Sequence, residues 1–279
     1  MFYYNLFNDN EYYENNILEN INNKHNVINI LILHSYLTNL PNLEEFINLE
    51  KLECKSNQLK QLPKLPNNLK KLYIINNNLT ELPQLPNNLE ILYCKNNQLK
   101  ELPILPINLL KLNCENNQLT QLPDLPNNLN YLYCNYNKLT ELPKLPINLL
   151  EIHCYYNKLT ELPILPNSLN FLNCNNNQLT QLPDLTINLN YLYCKYNKLT
   201  KLPELSYNLI NSINLKTINC YNNSKNLHKY IIQYKSLYYY KKYNKYRSID
   251  TLNELLNYTI ENYYYLKIIK YYDKIYCKF

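Results

Sequence analysis

The 279-residue chain has no glycine, no alanine and no tryptophan, and it contains one methionine. The lack of glycine removes whole classes of chemistry. Dinucleotide-binding fingerprints, phosphate loops of the Walker type and the nucleophile elbow of serine hydrolases all need glycine for a tight turn or close backbone approach, so none can be present. Histidine is scarce too. His25, His34, His153 and His228 lie in unrelated segments, so no nucleophile–base pair or metal cluster can be assembled from them. A long hydrophobic run is also missing: Ile28 to Leu33 is far too short to span a bilayer. No basic–apolar–small pattern of a secretory leader precedes it. These absences predict a soluble intracellular protein, most simply cytoplasmic, with no catalytic residues, no cofactor and no metal.

What is present is repetition. From Leu49 to Leu202 one twenty-residue unit is written eight times, beginning at Leu49, Leu69, Leu89, Leu109, Leu129, Leu149, Leu169 and Leu189. A fixed period must be read before local structure, because each unit is then one coil of a solenoid. The unit reads Leu-x-x-Leu-x-Cys-x-x-Asn-x-Leu-x-x-Leu-Pro-x-Leu-Pro-x-Asn, and Leu89 to Asn108 is a nearly perfect copy. Leu92 and Cys94 are two apart, so an extended segment points both inward while Ile91, Tyr93 and Lys95 point outward. Repetition without reversal stacks such strands in parallel.

The other columns carry their own chemistry. Asn97 recurs as Asn57, Asn77, Asn117, Asn137, Asn157, Asn177 and Asn197, predicting a buried amide that bridges successive turns. The fifteen prolines sit almost wholly at two fixed positions. Proline fixes φ and lacks a donor, which predicts an extended, polyproline-like back rather than a helical one. Nine cysteines are present, and seven fall at one inward strand position, where Ile74 replaces the missing member. A position that accepts isoleucine is apolar. Buried reduced thiols, rather than a metal site or disulfide ladder, are expected there, in a reducing compartment.

These residues carry a resemblance to leucine-rich repeat proteins, specifically the short-repeat bacterial type of secreted effectors, which share the Leu-Pro-x-Leu-Pro signature and the asparagine column; giant-virus proteins of this kind look similar. The resemblance implies an α/β solenoid, a horseshoe with a parallel β-sheet on its concave face, used as a scaffold for binding other proteins. Asn, Tyr, Lys, Ile and Leu dominate the composition. That skew points to an AT-rich genome.

Three segments are expected: an N-terminal cap over residues 1–26, read as a short helix; a solenoid of about ten repeats over 27–223; and a helical cap over 224–279. Val27, Ile30, Ile32, Leu37 and Leu40 form an imperfect first unit in which Ser35 replaces the asparagine. After Leu205 the period breaks, and Leu215, Ile218, Cys220 and Asn223 restate it six residues late, implying an insertion at about 206–211. In 224–279, Thr251 and Glu254 form a possible capping box ahead of apolar spacings of three and four. This tail holds eleven Lys or Arg against four Asp or Glu, leaving 17 against 18 for the rest, so the net charge of +6 belongs to it.

The outward strand positions are the candidate partner site: Tyr73, Tyr93, Lys95, Tyr133, His153, Tyr155, Tyr193 and Lys195. Tyrosine offers large contact area with a polar tip and little entropy loss, which suits protein recognition. Stacking along the sheet would use the same residues for stability alone. A second function class remains open: nucleic-acid or anionic-surface binding through Lys241, Lys242, Lys245 and Arg247 among the tail tyrosines. A third, a ubiquitin-ligase-like effector, lacks a visible catalytic domain.

Overall fold

A computed structural model describes residues 2–7, 18, 21–203, 217–220 and 222–223. The expected helices and insertion at 224–279 and 206–211 lie outside these residues.

Among the described residues every regular element but one 3₁₀ turn (Lys24–Asn26) is a strand. They are β1 (Phe2–Phe7), β2 (Val27–Leu33), β3 (Lys51–Lys55), β4 (Lys71–Tyr73), β5 (Ile91–Tyr93), β6 (Lys111–Asn113), β7 (Tyr131–Tyr133), β8 (Glu151–His153), β9 (Phe171–Asn173), β10 (Tyr191–Tyr193) and β11 (Thr217–Asn219). All eleven form one sheet in sequence order. Every neighbouring pair is parallel, from β1·β2 to β10·β11. The register is set by the unit: Leu72 lies opposite Leu92, and Leu92 opposite Leu112. Twenty residues per coil bring like residues side by side, so one leucine column becomes a continuous core seam.

β1 departs from the expected helical cap. Residues 2–7 add a parallel strand to the edge of β2 instead. The open edge of a solenoid offers unpaired backbone groups as well as apolar surface, and a strand satisfies the former where a helix would not. The run Phe-Tyr-Tyr-Asn-Leu-Phe is also rich in residues favoured in strands.

The core is a set of columns. Leu89, Leu92, Cys94 and Leu99 are fully buried, and Leu102 and Leu105 nearly so, with the same positions buried in the other described units except Leu125, which is partly buried. The segments carrying the prolines contain neither helix nor strand. Each returns the chain with few bonds of its own, and Gln98 N–H donates to Leu79 O of the preceding unit at 2.8 Å.

The asparagine column behaves as the sequence predicts. The Asn97 amide donates to Ile74 O at 2.8 Å and Cys94 O at 3.1 Å, while its oxygen accepts Leu79 N–H at 3.1 Å. One side chain thus closes its own turn and ties it to the preceding coil. The restart after the insertion obeys the same rule: Asn223 donates to Cys194 O at 2.9 Å and accepts Leu199 N–H at 3.0 Å. Asn97→Ala is expected to destabilise the fold by ~1–3 kcal/mol, since it strands a buried donor and acceptors. Chemical denaturation checks this, and an unchanged midpoint would refute the bridging role.

The asparagine that closes each unit forms a second column, whose bonds only the structure shows. Asn88 donates to Asn67 O, Asn108 to Asn87 O, Asn148 to Asn127 O and Asn188 to Asn167 O, at 2.7–3.2 Å. Ser168 keeps the bond with its hydroxyl, donating to Ile147 O at 2.7 Å.

The thiols follow the sequence except at one end. Cys54, Cys94, Cys114, Cys134, Cys154 and Cys174 are free and buried. Burial pushes the Cys94 and Cys154 thiols up to about 12. Cys194, expected to be a reduced core thiol like the others, is instead joined to Cys220. The register that sets Tyr193 opposite Asn219 brings these next residues to a Cα separation of 4.6 Å, within disulfide range, with both side chains buried.

Candidate protein-binding face

The side of the sheet away from the core is built from three outward columns. The first runs Lys51, Lys71, Ile91, Lys111, Tyr131, Glu151, Phe171, Tyr191; the second Glu53, Tyr73, Tyr93, Asn113, Tyr133, His153, Asn173, Tyr193. The third, two residues further on, includes Lys95, Glu115, Asn135, Tyr155, Asn175 and Lys195. All eight candidate residues therefore stand on one face, in the second and third columns, and all are partly exposed.

The structure divides them into two neighbourhoods. Over β7–β10 the rings form one connected belt. His153 stacks on Phe171 at 4.7 Å between centroids and 10° between planes, and meets Tyr133 at 4.9 Å. Phe171 then meets Tyr191 at 5.8 Å and Tyr193 at 5.4 Å. On the other flank His153 approaches Tyr155 at 6.1 Å, and Tyr155 packs edge-on against Tyr136 at 5.3 Å. Aromatic pairs at these spacings are favourable beyond their area, so the belt holds its own shape before any partner arrives. Glu151 pairs with His153 at 2.6 Å and fixes the imidazole at the centre. Burial, then the Glu151 charge, pushes the Tyr133 phenol up to about 12, so it stays a neutral donor at any physiological pH.

Over β3–β6 the face is basic. Burial would raise the Glu53 carboxyl, but hydrogen bonds from Lys51 and Lys55 outweigh it and hold the carboxyl below its usual value. Lys51 Nζ lies 2.6 Å from Glu53, Lys55 also pairs with it, and both ammonium groups sit 5.4 Å from the Tyr73 ring centroid. Tyr73 meets Tyr93 edge-on at 5.3 Å. Burial, with Tyr73 second, raises the Tyr93 phenol as well.

Two residues that belong to the belt were missed in the sequence, Tyr136 and Tyr156. They stack at 4.6 Å and 10°, and both are about half exposed. Each occupies the turn after the strand with φ of 53° and 52°, in the left-handed region. A chain without glycine fills that turn chiefly with asparagine, as at Asn76 (φ 56°), Asn96 (57°), Asn116 (51°) and Asn176 (54°). Asparagine tolerates this region, whereas a bulky residue is strained there by roughly 1–2 kcal/mol. Their signal was available: tyrosine replaces asparagine in that column at 136, 156 and 196.

Among the described residues no group of three His, Cys, Asp or Glu could hold a metal ion. No helix there is long and apolar enough to cross a membrane.

A parallel-sheet solenoid with twenty-residue coils, inward Leu and Cys columns and a bridging asparagine is the architecture of leucine-rich repeat proteins, and the chain has that fold. Among solved structures it is similar to YopM from Yersinia enterocolitica WA-314, with 36% identity, a TM-score of 0.66, and coverage of 70% of this chain and 42% of that one. YopM from Yersinia pestis, described as a leucine-rich effector protein, is 37% identical with a TM-score of 0.61, covering 67% of this chain and 53% of that one. The functional domain of InlJ from Listeria monocytogenes, described as including a cysteine ladder, shares the fold at 23% identity and a TM-score of 0.52, with 73% and 54% covered. The chain thus spans about half the length of these relatives or less. They give no support to an origin in a giant virus or an AT-rich genome. No protein-family model matches the chain, and no curated protein does.

Proposed function

We propose that the chain is a non-enzymatic scaffold that grips another protein with the outward face of its sheet, the concave face of a horseshoe. One observation carries this reading: the unbroken belt of rings from Tyr136 to Tyr193, partly exposed and held in place by its own stacking and by the Glu151–His153 pair. Rigid aromatic anchors dominate binding energy in protein interfaces because they lose little freedom on contact. The strained turns at Tyr136 and Tyr156 add weight, since asparagine would fill them at lower cost. The likeness to YopM, an effector protein, agrees with a scaffold role. Six free buried thiols suit a reducing compartment such as the cytoplasm, with Cys194–Cys220 the exception.

The repeats themselves supply the control. Asn113 and Asn173 occupy the column of Tyr133, Asn135 and Asn175 that of Tyr155, and Asn176 that of Tyr156. A Tyr133→Asn, Tyr155→Asn, Tyr156→Asn variant therefore replaces each ring with a residue the same coil position already accepts. Affinity capture from a candidate host lysate is expected to retain a protein on the wild type and lose it on the variant, with unchanged circular dichroism. Equal retention by both would overturn the assignment and shift attention to the basic tail at 224–279.

A further inference from the structure

The two neighbourhoods of the sheet face differ in charge, and this difference names the kind of partner, on the reading that the face binds a protein at all. Lys71 and Lys111 flank Ile91 in the first column, in register across β4, β5 and β6, so they stand about 10 Å apart. Lys95 lies two residues beyond Tyr93 on the same face. The three lysines stand on the coils of β4, β5 and β6, on the face that carries Tyr93, and none makes an ion pair among the described residues. Lys51 and Lys55, by contrast, both already pair with Glu53. Lys111 also lies 4.7 Å from the Tyr131 ring centroid, which joins the basic patch to the aromatic belt.

The belt side is differently charged. Glu151 is spent on His153, and Glu115 faces the belt, where it raises the Tyr155 phenol after burial. A nucleic acid would meet a cation at each successive phosphate along its track. Here cations without an ion pair cluster over β4–β6, beside Glu115, whereas the outward columns over β7–β10 carry mainly rings, with Glu151 and Lys195 the only Lys, Arg, Asp or Glu among the described residues there.

We propose that the occupant is an acidic, extended segment of a protein partner, laid across the strands, with its carboxylates on Lys71, Lys95 and Lys111 around Tyr93 and an apolar side chain against His153 and Phe171. From β5 to β9 is four strand spacings, about 19 Å, which an extended peptide covers in about six residues at ~3.3 Å each. The Tyr93 hydroxyl, on β5 between the strands of Lys71 and Lys111, gives the acidic end a neutral donor, and the stacked His153–Phe171 pair gives the other end a flat ring seat.

Selection of random displayed dodecapeptides on the immobilised full chain tests this. Enriched peptides are expected to carry clustered Asp or Glu with an apolar residue about six positions away. Made synthetically and labelled, they are expected to weaken as salt rises and to bind a Lys71→Gln, Lys95→Gln, Lys111→Gln variant at least ~10-fold less tightly. Enriched neutral or basic peptides that are lost on the Tyr133→Asn, Tyr155→Asn, Tyr156→Asn variant would overturn the acidic partner while leaving the binding face standing. Peptides indifferent to both variants, or no enrichment, would sink both. An oligothymidine that binds the face more tightly than the selected peptides would also overturn the proposal, in favour of a nucleic acid.

Discussion

Cys134→Asp is expected to abolish cooperative folding of the central coils at neutral pH. Cys134 has no exposed surface, and burial with the neighbouring Cys154 and Cys114 thiols already drives its own pKa well above the usual thiol value. A carboxyl placed there meets the same desolvation without a cation to pair with, since its column neighbours are thiols above and below. Full burial raises a carboxyl by about 3–5 pKa units. At 1.36 kcal/mol per unit, and capped at pH 7 because the buried group protonates instead, that costs about 4 kcal/mol, most of the stability of a marginal domain. The sign gives a second check. The folded-state pKa lies above the unfolded value, so the variant keeps its stability below the unfolded value near pH 4 and loses it as pH rises through the folded one. Thermal melts at several pH values should show native signal for the variant only at the acid end. Cys134→Ile is the control, because Ile74 holds the same position fully buried. A melting temperature for Cys134→Asp equal to wild type at pH 7 would mean that this column does not face the core.

Why the columns were legible and other features were not comes down to period. A twenty-residue repeat puts like residues in contact with like, so reading Leu92, Cys94 and Asn97 once reads eight coils, and the alternation of a strand decides which of them face inward. The candidate face was legible for the same reason, as the complement of the core. Features that break the period carried no such signal. The strand at Phe2–Phe7 depends on satisfying an exposed sheet edge, which a local reading of a cap cannot see. The Cys194–Cys220 bond depends on the restart after the insertion landing in register with β10. The division of the face into a basic patch and an aromatic belt depends on which carboxylates are already taken. Glu53 pairs with Lys51 and Lys55 and Glu151 with His153, and only the geometry shows that Lys71, Lys95 and Lys111 are left without an ion pair.

Deleting residues 109–128, one whole unit, is expected to leave a folded solenoid, whereas deleting 109–118 is expected to destroy the cooperative transition. The whole-unit deletion removes β6 together with Asn117 and joins Asn108 to Leu129, so the columns close up. Leu92 then meets Leu132, Cys94 meets Cys134, and Asn137 takes over the bonds that Asn117 makes to Cys94 O and Leu99 N–H. Both contacts to neighbours survive because every coil presents the same two faces. The loss is the net contribution of twenty residues, about 1–3 kcal/mol at ~0.05–0.15 kcal/mol per residue. That should lower the melting temperature by ~2–4 °C per kcal/mol. The half-unit deletion removes the same strand and asparagine but joins Asn108 to Leu119, so a return segment is forced where a strand must pair. Leu92 and Cys94 then lose their covering column, Leu99 N–H loses its acceptor, and the backbone of β5 faces a segment with no complementary ladder. Half the mass removed thus has the larger effect, an ordering that a compact globule with one undivided core would not give. Melting curves for the two deletions that ranked the other way would show that the coils are not stacking as interchangeable units.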